Sequence, residues 1–178
     1  MKTKRPYADM LPIAQALADR LRPACLRIEI AGSLRRRKSA VGDIELCAIG
    51  EPCHNLFGEP TGATYIDSVL DSLGVTFHKN GQRYKQFAWP ISGGHCQVDL
   101  FLAYPYNWGL IYMLRTGPGE FSRRFVTSKN QGGYKPDRYE VRDGRVWQAG
   151  KKVFVPMPEE IDLFRAWGMD WIEPEARA

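Results

Sequence analysis

No run of this 178-residue chain approaches the roughly twenty apolar residues that a bilayer-spanning helix needs, so no membrane partner is expected. The basic opening, Met1-Lys2-Thr3-Lys4-Arg5-Pro6-Tyr7, lacks the apolar core of a secretory signal, and a cytoplasmic protein is expected. Cysteine is scarce and unpatterned. Cys25, Cys47, Cys53 and Cys96 form no Cys-x-x-Cys pair and take no zinc-ligand spacing with His54, His78 or His95. That argues against a zinc centre and leaves reduced, structural thiols. Internal repeats and low-complexity tracts are absent too, which sets aside solenoids and disordered arrays. What remains is enough chain for a real hydrophobic core, in one domain or a domain with a small appendage. The net charge of +5, with a pI near 9.1, suits a polyanionic partner.

The densest chemistry lies between Gly32 and Leu46. Before it, Leu26-Arg27-Ile28-Glu29-Ile30 alternates apolar and polar residues with the period of a half-buried strand. That strand runs into Gly32-Ser33, where a glycine allows close backbone approach and a short helix start favours an anion such as phosphate. A basic run, Arg35-Arg36-Arg37-Lys38, follows. Beyond Gly42 the alternation resumes in Asp43-Ile44-Glu45-Leu46-Cys47-Ala48-Ile49, so Asp43 and Glu45 share one face of a second strand. Paired carboxylates beside a phosphate cradle are the oxygen donors that hard divalent cations such as Mg²⁺ take.

The rest of the chain reads as alternating helices and hairpins. Met10, Ile13, Ala14, Leu17 and Leu21 recur at helical spacing between Pro6 and Pro23. Residues 51–62 carry two prolines and two glycines and read as a loop. From Thr61, the positions Tyr65, Ile66, Val69, Leu70 and Leu73 give a second helix closed by Gly74. Val75 to His78, Asn80-Gly81 and Tyr84 to Trp89 predict a hairpin with a tight primed turn. The strand from His95 to Ala103 puts Val98, Leu100 and Leu102 on one face and Gln97, Asp99 and Phe101 on the other, making Asp99 a candidate third carboxylate. An aromatic helix over 104–113 ends at Thr116-Gly117, and a short basic helix with Arg123 and Arg124 follows. Tyr139 to Trp147 reads as a hairpin about Asp143-Gly144, and a last helix starts at Pro158 and stops at Gly168.

Gly32-Ser33-Leu34-Arg35-Arg36, then Gly42-Asp43-Ile44-Glu45, then Val98-Asp99-Leu100, resemble the signature of the nucleotidyltransferase superfamily, most closely the DNA polymerase X family. Thr116-Gly117 is similar to the Thr-Gly that lies against the incoming nucleotide there, and Trp171 to Arg177 is similar to that family's closing Tyr-Ile-Pro-Pro-Glu-Leu-Arg. The resemblance spans nearly the whole chain. It departs at Glu45, where the family has Asp, at Gln97, where it often has Lys or Arg, and at Leu114-Arg115, where it carries aromatics. Gln97 is therefore expected to leave Asp99 one partner short. At this length the chain is expected to lack the family's lyase domain and its helix-hairpin-helix module.

The resemblance implies an α/β (α+β) nucleotidyltransferase palm with a mixed sheet over 1–119, then a small thumb over 120–178. It implies a metal-dependent DNA polymerase that adds a deoxynucleotide to a primer 3′-hydroxyl in gap repair, acting as a monomer on DNA and deoxynucleoside triphosphate. Asp43 and Glu45 would bind both of two Mg²⁺ ions, Mn²⁺ substituting, and Asp99 one of them. Gly32, Ser33, Arg36, Gly42, Thr116 and Gly117 would contact the nucleotide, Arg35 and Arg37 having weaker claims, and Arg123 and Arg124 would meet DNA. Two alternatives stand beside it: a superfamily transferase acting on RNA, protein or a small molecule, and a non-catalytic DNA-end-binding protein.

Overall fold

The computed structural model describes residues 3–177. They form two compact units, one ending at Ala103 and the other beginning at Tyr104. The class is mixed α+β, as expected. Among the described residues no helix is long and apolar enough to cross a membrane.

The first unit opens with β1 (Arg5–Pro6), α1 (Tyr7–Leu21), β2 (Cys25–Ile30), α2 (Gly32–Arg35), β3 (Ala40–Val41) and β4 (Ile44–Gly50). It continues through β5 (Pro52–His54), β6 (Pro60–Thr64), α3 (Tyr65–Ser72), β7 (Thr76–Asn80), β8 (Tyr84–Ile91) and β9 (Gly94–Leu102). Five of the strands make one sheet in the order β2-β4-β9-β8-β7, with β4 and β9 parallel and the other pairs antiparallel. Strand alternation sends Ile28, Ile44, Leu46, Ala48, Phe87, Val98 and Leu100 to one face. There they meet Met10, Ala14, Leu17 and Leu21 of α1 and Ile66 and Leu70 of α3 in a single core. Each large side chain buried this way contributes about 1.5–3 kcal/mol. The opposite face is left for Glu45, Gln86, Gln97 and Asp99.

Three local expectations need correction. Residues 51–62 are not a plain loop, because β5 pairs antiparallel with β6. Asn55 closes that hairpin, its Oδ1 accepting from the backbone N–H groups of Phe57 and Glu59, both at 2.9 Å. The prolines that read as breakers sit in short paired strands outside the main sheet, where a missing N–H is tolerated. For the same reason the second helix starts at Tyr65, since the preceding residues belong to β6. In the β7–β8 hairpin, Gly81 N–H donates to the Tyr84 carbonyl at 3.0 Å, so the turn is made over Gln82-Arg83 rather than Asn80-Gly81. Lys85 Nζ donates to Asn80 Oδ1 at 2.6 Å and holds Asn80 in the ladder opposite itself.

The second unit contains α4 (Trp108–Thr116), α5 (Gly119–Val126), the antiparallel strands β10 (Tyr139–Arg142), β11 (Arg145–Gln148) and β12 (Phe154–Val155), and α6 (Glu160–Trp167). Asp143 and Gly144 both take positive φ, 55° and 70°, the primed turn that their sequence signals. Leu110, Met113, Phe121, Phe125, Val146, Leu163, Phe164 and Trp167 form a separate, aromatic-rich core. Its extent moves the division between units upstream of the expected 119/120 boundary, because α4 packs on α6. At Gly109 a Cβ would lie 2.2 Å from the Glu159 carbonyl oxygen, so only glycine admits that approach. The chain end is pinned here as well: buried Arg177 donates to Glu160 at 2.9 Å and to the Ile172 carbonyl at 3.1 Å, among the rings of Phe121, Phe164 and Trp171.

Candidate active site

The parallel pairing of β4 with β9 sets Glu45 directly beside Asp99. Adjacent strands lie about 4.8 Å apart, so the two residues are neighbours on the polar face of the sheet. Asp43, two residues before Glu45, sits in the bend that enters β4 just after Gly42. Asp43 and Glu45 are half-buried and Asp99 is buried. Glu45 and Asp99 thus share one stretch of sheet with Asp43 at its entry, but among the described residues no three His, Cys, Asp or Glu side chains converge into a metal-ready cluster. Glu45 and Asp99 turn in different directions. Glu45 lies over the cradle, where a Cβ placed on Gly32 would fall 1.7 Å from its Oε2. Asp99 turns toward β8 and accepts from Tyr84 Oη at 2.6 Å, from Gln86 Nε2 at 2.8 Å and from Gln97 Nε2 at 2.8 and 3.0 Å.

Those contacts overturn the expectation that Gln97 leaves Asp99 one partner short, for its amide reaches both carboxylate oxygens. Tyr84 and Gln86 were missed altogether. The alternation of Tyr84 to Trp89 already put both on one face of a strand; what sequence did not show was the register that pairs Gln86 with Asp99.

The cradle is local and compact. Gly32 has φ 61°, a left-handed conformation suited to glycine, and the close approach it permits is to Glu45. Ala31 N–H donates to the Glu45 carbonyl at 2.8 Å, tying the end of β2 to β4. The hydroxyl oxygen of Ser33 is buried and has no hydrogen-bond partner among the described residues. A buried hydroxyl in that state favours a polar ligand atom. Arg35 and Arg36 are half-buried, and Arg37 is exposed with φ 52° at the end of the turn. By type, the oxygen donors of Asp43, Glu45 and Asp99 fit Mg²⁺ or Mn²⁺.

The other nominated residues lie in the second unit. Thr116 and Gly117 are buried at the end of α4, and Gly117 has φ 65° before a cis bond to Pro118. Arg123 and Arg124 are exposed on α5. Arg123 forms an ion pair with Glu120 at 2.6 Å, which lowers the Glu120 carboxyl below its usual range, and Arg124 lies 4.6 Å over the Tyr134 ring. The four cysteines are free thiols; burial pushes Cys25 up to about 11 and raises Cys96 as well, in keeping with unreactive structural roles. No model of a known protein family matches the chain, and no curated protein matches it.

Proposed function

We propose that the chain is a divalent-cation-dependent nucleotidyltransferase of the polymerase X type, which extends a DNA primer by one deoxynucleotide at a gap. The observation that carries this reading is the register of β4 on β9, which sets Glu45 beside Asp99 with the Gly32-Ser33 turn against Glu45. In the reaction the primer 3′-hydroxyl gives up its proton to solvent, its oxygen forms a bond to the α-phosphorus of the triphosphate, the bond to the bridging oxygen breaks, and pyrophosphate leaves. Asp43 and Glu45 would hold both cations, and Asp99 one. When bound, the ions supply charge neutralisation on the triphosphate and a lower pKa at the attacking hydroxyl.

The remaining work belongs to the chain's own side chains. The Ser33 hydroxyl donates to a phosphate oxygen, and Arg36 contacts the β and γ phosphates through its planar fork. Gly32 permits the close approach of the turn to Glu45, and Gly42 would contact the nucleotide just before Asp43. Exposed Arg123 and Arg124 of the second unit would contact the DNA backbone, a salt-sensitive term. A transferase acting on a small molecule would have no use for the second unit's exposed arginines, and the three carboxylates argue against an idle DNA-end binder. Incubation with Mg²⁺ or Mn²⁺, a one-nucleotide-gapped duplex and labelled deoxynucleotides tests the proposal. Addition of one nucleotide supports it; cation-dependent labelling of RNA, protein or a small molecule in place of DNA replaces it.

A further inference from the structure

The two oxygens of the Asp99 carboxylate are not equivalent. Oδ1 accepts from Tyr84 Oη at 2.6 Å, from Gln86 Nε2 at 2.8 Å and from Gln97 Nε2 at 3.0 Å, whereas Oδ2 accepts from Gln97 alone, at 2.8 Å. A carboxylate oxygen offers about two lone-pair sites, so Oδ1 is saturated and Oδ2 keeps one. The direction of the phenol hydrogen is also fixed. Gln86 Nε2 donates to Tyr84 Oη at 2.8 Å, so Tyr84 donates onward to Asp99. Tyr84 is itself held in place, its ring stacked on Phe101 at 5.0 Å and the Lys79 ammonium 5.4 Å from the ring centre. All three donors to Asp99 are uncharged.

We propose that Tyr84, Gln86 and Gln97 are positioning residues, an uncharged clamp that fixes Asp99 as a one-point cation ligand through Oδ2 and leaves its full negative charge to the cation. The inference rests on reading Asp43, Glu45 and Asp99 as a cation site, and it adds how the buried member is oriented. A guanidinium in place of the Gln97 amide would satisfy the same oxygens but cancel the charge, and a divalent ion would then meet a weaker partner. Neutral donors orient without that competition. Freeing Oδ1 instead lets the carboxylate rotate, and cation geometry tolerates little displacement.

The test is Mn²⁺ binding by the full chain without nucleotide or DNA, read as loss of the free-ion electron paramagnetic resonance signal, with thermal melting in parallel. Asp99→Asn is expected to weaken Mn²⁺ binding at least about tenfold. Gln97→Arg is expected to weaken it to a similar degree with melting unchanged, and Tyr84→Phe/Gln86→Met to weaken it several-fold. Mn²⁺ binding by Asp99→Asn equal to wild type would overturn the cation site and the clamp together. If Asp99→Asn loses binding while Gln97→Arg or the double variant binds as wild type does, the clamp falls and the cation site stands. A purely structural role would lower melting in the variants without separating their Mn²⁺ affinities.

Discussion

The two faces of the five-stranded sheet are built from the same strands and differ only in residue parity. One face carries Ile44, Leu46, Val98 and Leu100, all fully buried in the core beneath α1 and α3. The other carries Glu45 and Asp99 side by side, with Gln86 and Gln97 flanking. Because successive side chains alternate, a one-residue slip between β4 and β9 would exchange core for chemistry, so the hydrophobic face fixes the register that the carboxylates depend on. Stability should be sensitive on one face and activity on the other.

The largest effect should come from the polar face. On the proposed reading Asp43→Asn or Asp99→Asn removes a charged cation ligand, and nucleotide transfer should fall about a thousandfold or more while melting changes little. Single-turnover gap filling alongside a melting curve would show it, and near-normal turnover in either variant would break the division between faces. Leu100→Ala is the counterpart on the apolar face. It should cost about 2–5 kcal/mol in urea unfolding, with the proposed transfer kept by the protein that remains folded. Equal loss of stability from Asp99→Asn and Leu100→Ala would mean that parity does not separate the roles.

Gly32→Ala acts on the polar face through Glu45. A Cβ there falls 1.7 Å from Glu45 Oε2 at a backbone φ of 61°, so Glu45 must move. Loss of cation binding with a stability cost of about 1–2 kcal/mol is expected, seen by titrating Mn²⁺ and by denaturation. Arg36→Lys should raise the nucleotide KM several-fold with kcat nearly kept, because an ammonium cannot make a two-point phosphate contact. A variant with normal KM but weakened DNA binding would reassign that residue. The smallest effect concerns sugar choice. Arg115 is exposed at the end of α4, where the polymerase resemblance implies an aromatic beside the nucleotide's sugar that gates out a 2′-hydroxyl by a rigid clash. Arg115→Phe should reject ribonucleotides more strictly than wild type, measured as the ratio of kcat/KM for matched deoxy- and ribonucleotides; an unchanged ratio would assign the gate to backbone.

Much of this was legible from alternation and spacing. The helix containing Met10 to Leu21, the Asp43-Glu45 strand and the Asp99 strand all follow from periodicity, because burial on one face writes itself into every second or every third and fourth residue. Pairing is not written that way. The β4–β9 register joins segments distant in sequence, the recruitment of Tyr84 and Gln86 to Asp99 follows from the register of β8 on β9, and the β5–β6 hairpin is local but masked by prolines and glycines that read as loop. The units divide at 103/104, upstream of the expected 119/120, and α4 reads as an apolar helix in either unit; its approach to the start of α6, Gly109 against the Glu159 carbonyl, joins residues far apart in the chain. Gln97 shows the limit of comparing side chains by charge, since an amide two residues from Asp99 on the same face reaches the carboxylate as well as a cation would.

The central claim is that Asp43, Glu45 and Asp99 form one cation-dependent transfer site. Its most direct test is single-turnover addition of a matched deoxynucleotide to a one-nucleotide gap by the wild-type chain and by Asp43→Asn, with and without Mg²⁺, each protein melted in the same buffer. The account predicts one nucleotide added by the wild type only when Mg²⁺ is present, none by the variant, and closely similar melting curves. Transfer by Asp43→Asn at the wild-type rate, or transfer by the wild type that survives removal of all divalent cations, would contradict it.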